Sequence, residues 1–477
     1  MSDSFELINK TAIEVVSLLR KEEISPSDLL LCLQDRIELI DGQVNALPTL
    51  CFERAFEHAN RLEKKPVEER GILAGLPIPI KDLTPVEGIL FTSGSTIFKD
   101  RIATHSDMSV KRIEAQGGIV YAKSNTPEFG AGGNTFNNVF GKTLNPWDLR
   151  MSTAGSSGGS AAALASGMAW LAHGSDMGGS LRNPASFCGV VGMRPSPGRV
   201  AHGPSLLPFN SLGVQGPMAR NIADLALFFD VMTGADYRDP LSFSEFKISF
   251  LEAAKLSQKP AKIAFSADFG FMPVDTEVAE ICREAAKKIQ EFGIIVEDCH
   301  PKLDNVIETF WTLRSHSFAM TMGPLVKQFQ DHFKQELLDN INVGYHLSVD
   351  ELGNAETSRA MIYEKMFNFF DEYDLLLAPS TIVPAFPIEQ RFVKKCNDKI
   401  FNTYVDWMGI TFPATLGGCP ALSIPAGFTK KGLPVGLQLI GRQKSEAKLL
   451  SSAQAIEDIL GKNNLPIDPR PNGFLST

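Results

Sequence analysis

The sequence predicts an α/β protein built on one large sheet, mixed and mostly parallel, with helices on both faces. Three observations carry this. A strand–helix–strand rhythm recurs at 261–300 and at 371–460, the pattern that alternating layers of sheet and helix require. A chain of 477 residues, 44% of them hydrophobic, can bury a large core. Finally, the segment after "AGSSGG" is apolar on nearly every face, so its helix is expected inside the protein.

Taken in order, residues 5–20 and 27–40 carry apolar positions at helical spacing. The second opens on Ser25-Pro26-Ser27-Asp28, a strong start signal. A third helix is expected over 53–64. "GILAGLPIPIKDL" (71–83) has two prolines in an apolar run, which suits an extended edge better than a helix. Residues 107–116 read as helix, Gly117-Gly118 as its stop and "IVYAKSN" as a strand, whereas "NPWDLRMSTA" before Gly155 does not read as one. Residues 236–260 resemble a surface linker. Then come strand "KIAFSA", helix 275–292 with Gly293 as C-cap, and strand "IIVED". The aromatic-rich stretch 303–370 reads as helices forming a wall or lid. "LLLAPS", "ALSIPAGF", "VGLQLIGR" and helix 445–460 complete the sheet. The organisation expected is a single domain over 1–477: a helical segment (1–70), a core (71–235), a variable helical region (236–370) and a return to the sheet (371–477).

Composition narrows the function. A net charge of −9 without clustered Lys and Arg argues against nucleic acid. Neither a signal peptide nor an apolar run long enough for a membrane span is visible, so a cytoplasmic location is expected. Seven scattered cysteines without a CxxC pair suit reduced, buried thiols. The eight histidines are never closer than 14 residues, so no local metal motif exists, and neither metal nor cofactor is expected.

Chemistry concentrates in two Gly/Ser-rich stretches, "AGSSGGSAAALASG" (154–167) and "HGSDMGGSLRNPA" (173–185). A phosphate cradle would need GxxxxGK[ST] or GxGxxG, and neither occurs. Residues 155–159 satisfy GxSxG with Ser157 at the centre. That elbow, however, needs a strand leading into it and a late histidine, and the last histidine is His346. The remaining reading is a serine nucleophile with a lysine base. A lysine is a base only when neutral, and bringing its pKa from about 10.4 to about 7 takes roughly 4–5 kcal/mol of desolvation. Lys81, at the end of "LAGLPIPIK", suits burial. The bland alternative is a lysine at a strand end pointing into water.

Lys81, Ser156 and Ser180 then fall into a pattern that resembles the amidase signature family of serine hydrolases. "GLPIPIKDL" is similar to its lysine segment. Residues 154–200 are similar to its signature, with Ser156 and Ser180 separated by 24 positions. "SNTPEFG", "NPWDLR", "GPMARNIADLALFFDVMTG" and "LGGCPALSIPAGFTKKGLPVGLQLIG" extend the likeness across most of the chain, least over 236–370. The resemblance implies Ser180 as nucleophile, Lys81 as base and Ser156 as the bridging serine after a cis peptide bond. The N–H groups of Met177, Gly178, Gly179 and Ser180 would hold the oxyanion. Ser157, Asp176 and Arg182 match supporting positions, with Asp176 and Arg182 expected to pair. Phe129, Gly130 and Ala131 correspond to substrate wall. Ala154 departs from the family's usual glycine. His173 and His316 are expected to be packing or pocket polar groups and Cys188 a small buried residue. The implied activity is hydrolysis of a carboxamide C–N bond, most like bacterial amidases and cyclic amide oligomer hydrolases. The partner expected is a small-molecule amide, and a homodimer is left open. The alternatives are the glutaminase component of a tRNA-dependent amidotransferase and a non-catalytic binding relative.

Overall fold

The computed structural model describes residues 2–244, 248–461 and 465–473. The helix expected over 5–20 is two, Ser2–Asn9 and Ala12–Arg20. Thr11 breaks it, because its hydroxyl caps Glu14 N–H while the Glu14 carboxylate returns to the Thr11 N–H. The next helix, Pro26–Val44, starts as anticipated at Ser25, which makes the same reciprocal cap with Asp28. Phe52–Glu63 follows.

Two sheets position the site. A three-stranded one orders Thr49–Leu50, Ile119–Ser124 and Pro77–Lys81. Pro77–Lys81 lies at its edge and pairs in parallel with Ile119–Ser124 alone. This is where Pro77 and Pro79 can be tolerated, since proline has no N–H for a second ladder. Beside it runs the eight-stranded sheet, in the order Ile295–Asp298, Lys262–Phe265, Leu375–Pro379, Pro434–Ile440, Ala421–Phe428, Val191–Arg194, Val214–Ala219 and Leu171–Asp176.

The sheet is mixed, as expected, but not mostly parallel. Its first three strands are parallel and every later pairing is antiparallel. For one of these pairings the reason is connection length. Ala421–Phe428 and Pro434–Ile440 are joined only by Thr429–Leu433, too short for a crossover, so they close as a hairpin.

Two other expectations change. "DLRMS" before Gly155 is a strand (Asp148–Ser152), although its ladder is with Leu144–Asn145, in a separate two-stranded ribbon. The supposed linker 236–260 carries a helix, Phe250–Lys255, packed on helices Ile222–Met232 and Glu446–Leu460. The stretch 303–370 is helical as anticipated, in the pieces Val306–Phe329, Gln335–His346 and Val349–Phe369. The helix Gly158–Ala165 is buried at all of its residues and packs between Ile119–Ser124 and Leu171–Asp176.

Candidate active site

Lys81 is the last residue of the edge strand Pro77–Lys81, which packs against Leu171–Asp176. Its side chain is wholly buried. Nζ lies 2.8 Å from Ser156 Oγ, 2.8 Å from Ser157 Oγ and 3.0 Å from Ser175 Oγ. Among the described residues no carboxylate lies within ion-pair distance of it. Burial therefore pushes its ammonium well below the ordinary lysine range, and the more distant Asp176 carboxylate opposes this only in part. The strand end pointing into water is not what the structure shows.

Ser156 follows a cis peptide bond from Gly155. A Cβ on Gly155 would stand 3.0 Å from the backbone at Gly132 and Asn134, a tight contact that the turn would have to shift to accept. Ala154 stands in the left-handed region at φ 55°. The alanine that departs from the family's glycine thus occupies a conformation costing a non-glycine residue roughly 1–2 kcal/mol. Ser157 stands at the N-cap position of the buried helix Gly158–Ala165 without capping it through its side chain; its hydroxyl donates instead to Ser175 O (3.2 Å) and its N–H reaches Ser180 O (3.2 Å).

Ser180 sits between strand Leu171–Asp176 and helix Arg182–Cys188 and is half-buried. The loop before it is organised by Asp176. That carboxylate accepts from the N–H groups of Gly179 (3.0 Å) and Leu181 (3.1 Å) and takes a two-pronged contact from Arg182, Nη2 at 2.9 Å and Nε at 3.1 Å. Arg194 adds Nη1 at 3.4 Å to the carboxylate and 2.8 Å to the Asp176 carbonyl. All three side chains are fully buried. Burial alone would raise the Asp176 carboxyl, but the Arg182 guanidinium, then Arg194, overrides it and holds the group far below the usual range. Gly179 stands at φ 96°, which side-chain-bearing residues rarely adopt, and a Cβ there would also crowd the Asn183 side chain (2.7 Å) and Thr411 Cγ2 (2.8 Å).

Ser156, Ser175, Met177 and Ser180 share a cavity of about 380 Å³, within the size range of small-molecule sites. Phe129 and Gly130 line it as expected. Ala131 does not: its side chain is buried elsewhere, and its carbonyl accepts from Lys334 Nζ. Helix Val306–Phe329 forms one wall with Arg314 and Phe318. His173 is buried on Gln215 (2.9 Å), and burial holds its imidazolium down to about 4. His316 is half-buried on that helix outside the lining. Cys188 is buried, and burial pushes its thiol up.

Sequence reasoning missed Ser175, Arg194 and Arg314. Ser175 had the weak signal of lying five residues before Ser180. Arg194 and Arg314 stand 14 and 134 residues after it, and no local pattern links them to it.

The family model named Amidase matches residues 28–450. An acylamidase of Rhodococcus erythropolis is 33% identical over 455 residues, covering 94% of this chain and 95% of its own. A glutamyl-tRNA(Gln) amidotransferase chain of Moorella thermoacetica is 34% identical over 478 residues, covering 95% and 97%. Among solved structures, a bacterial aryl acylamidase of the amidase signature family superposes with a TM-score of 0.89 at 28% identity, covering 94% of this chain and 96% of that one. With the family model spanning most of the chain and these relatives matching nearly end to end, the protein belongs to the amidase signature family of amide-hydrolysing enzymes.

Proposed function

We propose that the protein hydrolyses carboxamide C–N bonds through an acyl-enzyme on Ser180, with Lys81 as base and Ser156 as the hydroxyl that relays the proton. One observation carries the reading: a fully buried lysine whose Nζ meets three serine hydroxyls and, among the described residues, no carboxylate. A neutral amine has two N–H groups and one lone pair. Ser157 Oγ, which donates its own proton to Ser175 O, must accept one N–H, and Ser175 Oγ accepts the other. The lone pair is then left for the Ser156 hydroxyl, which can donate to Lys81 while accepting from Ser180.

Ser180 Oγ attacks the amide carbonyl as its proton passes through Ser156 to Lys81. The oxyanion is held by backbone N–H groups, each worth about 3–4 kcal/mol in the transition state. Gly179 N–H is directed at Asp176, so the donors are those of Met177, Gly178 and Ser180. The same relay returns the proton to the leaving nitrogen, and water hydrolyses the ester. Asp176, Arg182 and Arg194 touch no reacting atom and hold the loop.

A fluorophosphonate probe should label the protein at Ser180, and Ser180→Ala should abolish labelling. Labelling that survives this change, or that maps to Ser157, would sink the reading. The 34% identical amidotransferase chain supports a second reading, a glutaminase component of a larger assembly. Co-purification with other proteins in fixed ratio, together with release of ammonia from glutamine, would favour it.

A further inference from the structure

Arg314 is a buried cation with no anion beside it among the described residues. It is 5% exposed and lines the same cavity as Ser180. Its guanidinium donates through Nε to Asn340 Oδ1 (3.1 Å) and through Nη2 to Tyr404 Oη (2.8 Å). Nη1 meets only the sulfur of Met177 (3.3 Å), a weak acceptor in the loop that leads to Ser180. One face lies over the Phe318 ring, 4.1 Å from its centroid. Among the described residues no carboxylate comes within ion-pair distance of Arg314.

The acids on neighbouring elements are committed elsewhere. Glu336 is paired with Arg391 (2.6 Å), and Glu128 accepts from Ser95 (2.9 Å) and the Lys334 N–H (3.1 Å). Lys334 adds a second cation to this side and does not neutralise the first. The contrast with Arg182 and Arg194 is direct, since both of those share Asp176. A guanidinium removed from water without a counter-charge is costly, and each terminal nitrogen of Arg314 keeps an N–H beyond the contacts above. Two such N–H groups form the planar fork that matches a carboxylate.

We propose that Arg314 binds a carboxylate of the substrate, so that the preferred amides are monoanions: a scissile amide joined through an apolar spacer to a carboxylate. Phe129, Leu207, Val214 and Phe318 supply the apolar stretch between the two ends. This rests on the assignment of Ser180 as the reacting serine, but its test is a binding measurement independent of turnover.

The probes are the monoanilides of succinic, glutaric and adipic acid, each beside the same molecule with its carboxylate replaced by a primary carboxamide. Titration calorimetry on Ser180→Ala should show at least one acid binding about 30-fold or more tighter than its carboxamide. In Ser180→Ala/Arg314→Met that margin should fall to less than about threefold, and in Ser180→Ala/Arg314→Lys it should be intermediate. Because the margin compares two ligands on one preparation, partial misfolding does not produce its loss. No margin for any acid, no binding of either partner, or a margin untouched by Arg314→Met would each overturn the proposal. Wild-type hydrolysis of the neutral anilides with no carboxylate margin would overturn it while leaving the Ser180 reading intact. A missing fluorophosphonate label would overturn that reading alone.

Discussion

Two lysines stand on paired strands of the small sheet and differ in one respect. Lys81 and Lys123 are one register step apart, Lys81 opposite Ser124 and Lys123 opposite Ile80, so their side chains leave opposite faces of the ribbon. Both are fully buried. Lys123 finds the Asp82 carboxylate at 2.9 Å and the Thr84 carbonyl at 2.9 Å. Lys81 finds three serine hydroxyls and, at 3.5 Å, the Ser175 carbonyl, and among the described residues no carboxylate within ion-pair distance. Burial lowers the ammonium of both, with Asp82 opposing it at Lys123, and Lys81 falls further. Burial of both lysines gives a structural ion pair in one case and, in the mechanism proposed above, a base in the other, and the counter-ion is the difference between them.

This comparison can be broken by exchanging the two environments. Lys81→Met should lower kcat/KM for an anilide by on the order of 10⁴-fold or more, read by product release. Its thermal midpoint should not fall, because the change removes a desolvated amine that has no ion pair to lose. Lys123→Met should do the opposite. It leaves Asp82 as a buried, unpaired charge and should cost about 3–5 kcal/mol in urea unfolding. If the two variants show the same pattern, the distinction between the lysines is wrong.

Ser157→Asp gives Lys81 the counter-ion it lacks. It should raise the lysine toward its ordinary range and reduce kcat/KM at neutral pH by about 10²–10³-fold, with partial recovery as pH rises. An equal loss at every pH would mean that the change merely damages the helix start.

In the unmodified enzyme the acid limb of kcat/KM should report Lys81: activity falls as pH drops and the amine takes up its proton. Stability follows the same sign. Between the lowered folded value and the unfolded value of about 10.4, the unfolded chain holds more protons than the folded one. Lys81 therefore makes stability climb with pH through that window. Lys81→Met should flatten that slope, measured by urea unfolding at several pH values.

The smallest effect concerns Ala154. Ala154→Gly should relieve about 1 kcal/mol of left-handed strain in the folded state, part of which the greater freedom of the unfolded glycine chain cancels. A net loss of stability would show that the Cβ packs usefully in its buried site.

The legible parts are those in which neighbouring residues suffice. Caps at Ser25, the helix stop at Gly293 and the proline-bearing edge strand can all be read, because each depends on contacts within a few residues. The pairing of Asp176 with Arg182, six residues away, is within reach for the same reason. Strand direction is misread where a five-residue hairpin looks like part of an alternating α/β pattern. Thr11 is misread because its side chain could extend or interrupt the helix, and only the capping contacts distinguish the two.

The sequence by itself determined which side chains were available for chemistry, the spacing of the glycine–serine loops and a likeness long enough to name a family. It could not say that Lys81 is buried without a partner while Lys123 is buried with one, because both end up among apolar strand residues. Nor could it bring Ser175, Arg194 and Arg314 to the same loop. Those are decisions of the tertiary structure. A pKa depends on every charge and dipole within several ångströms, and these come from strands and helices far apart along the chain.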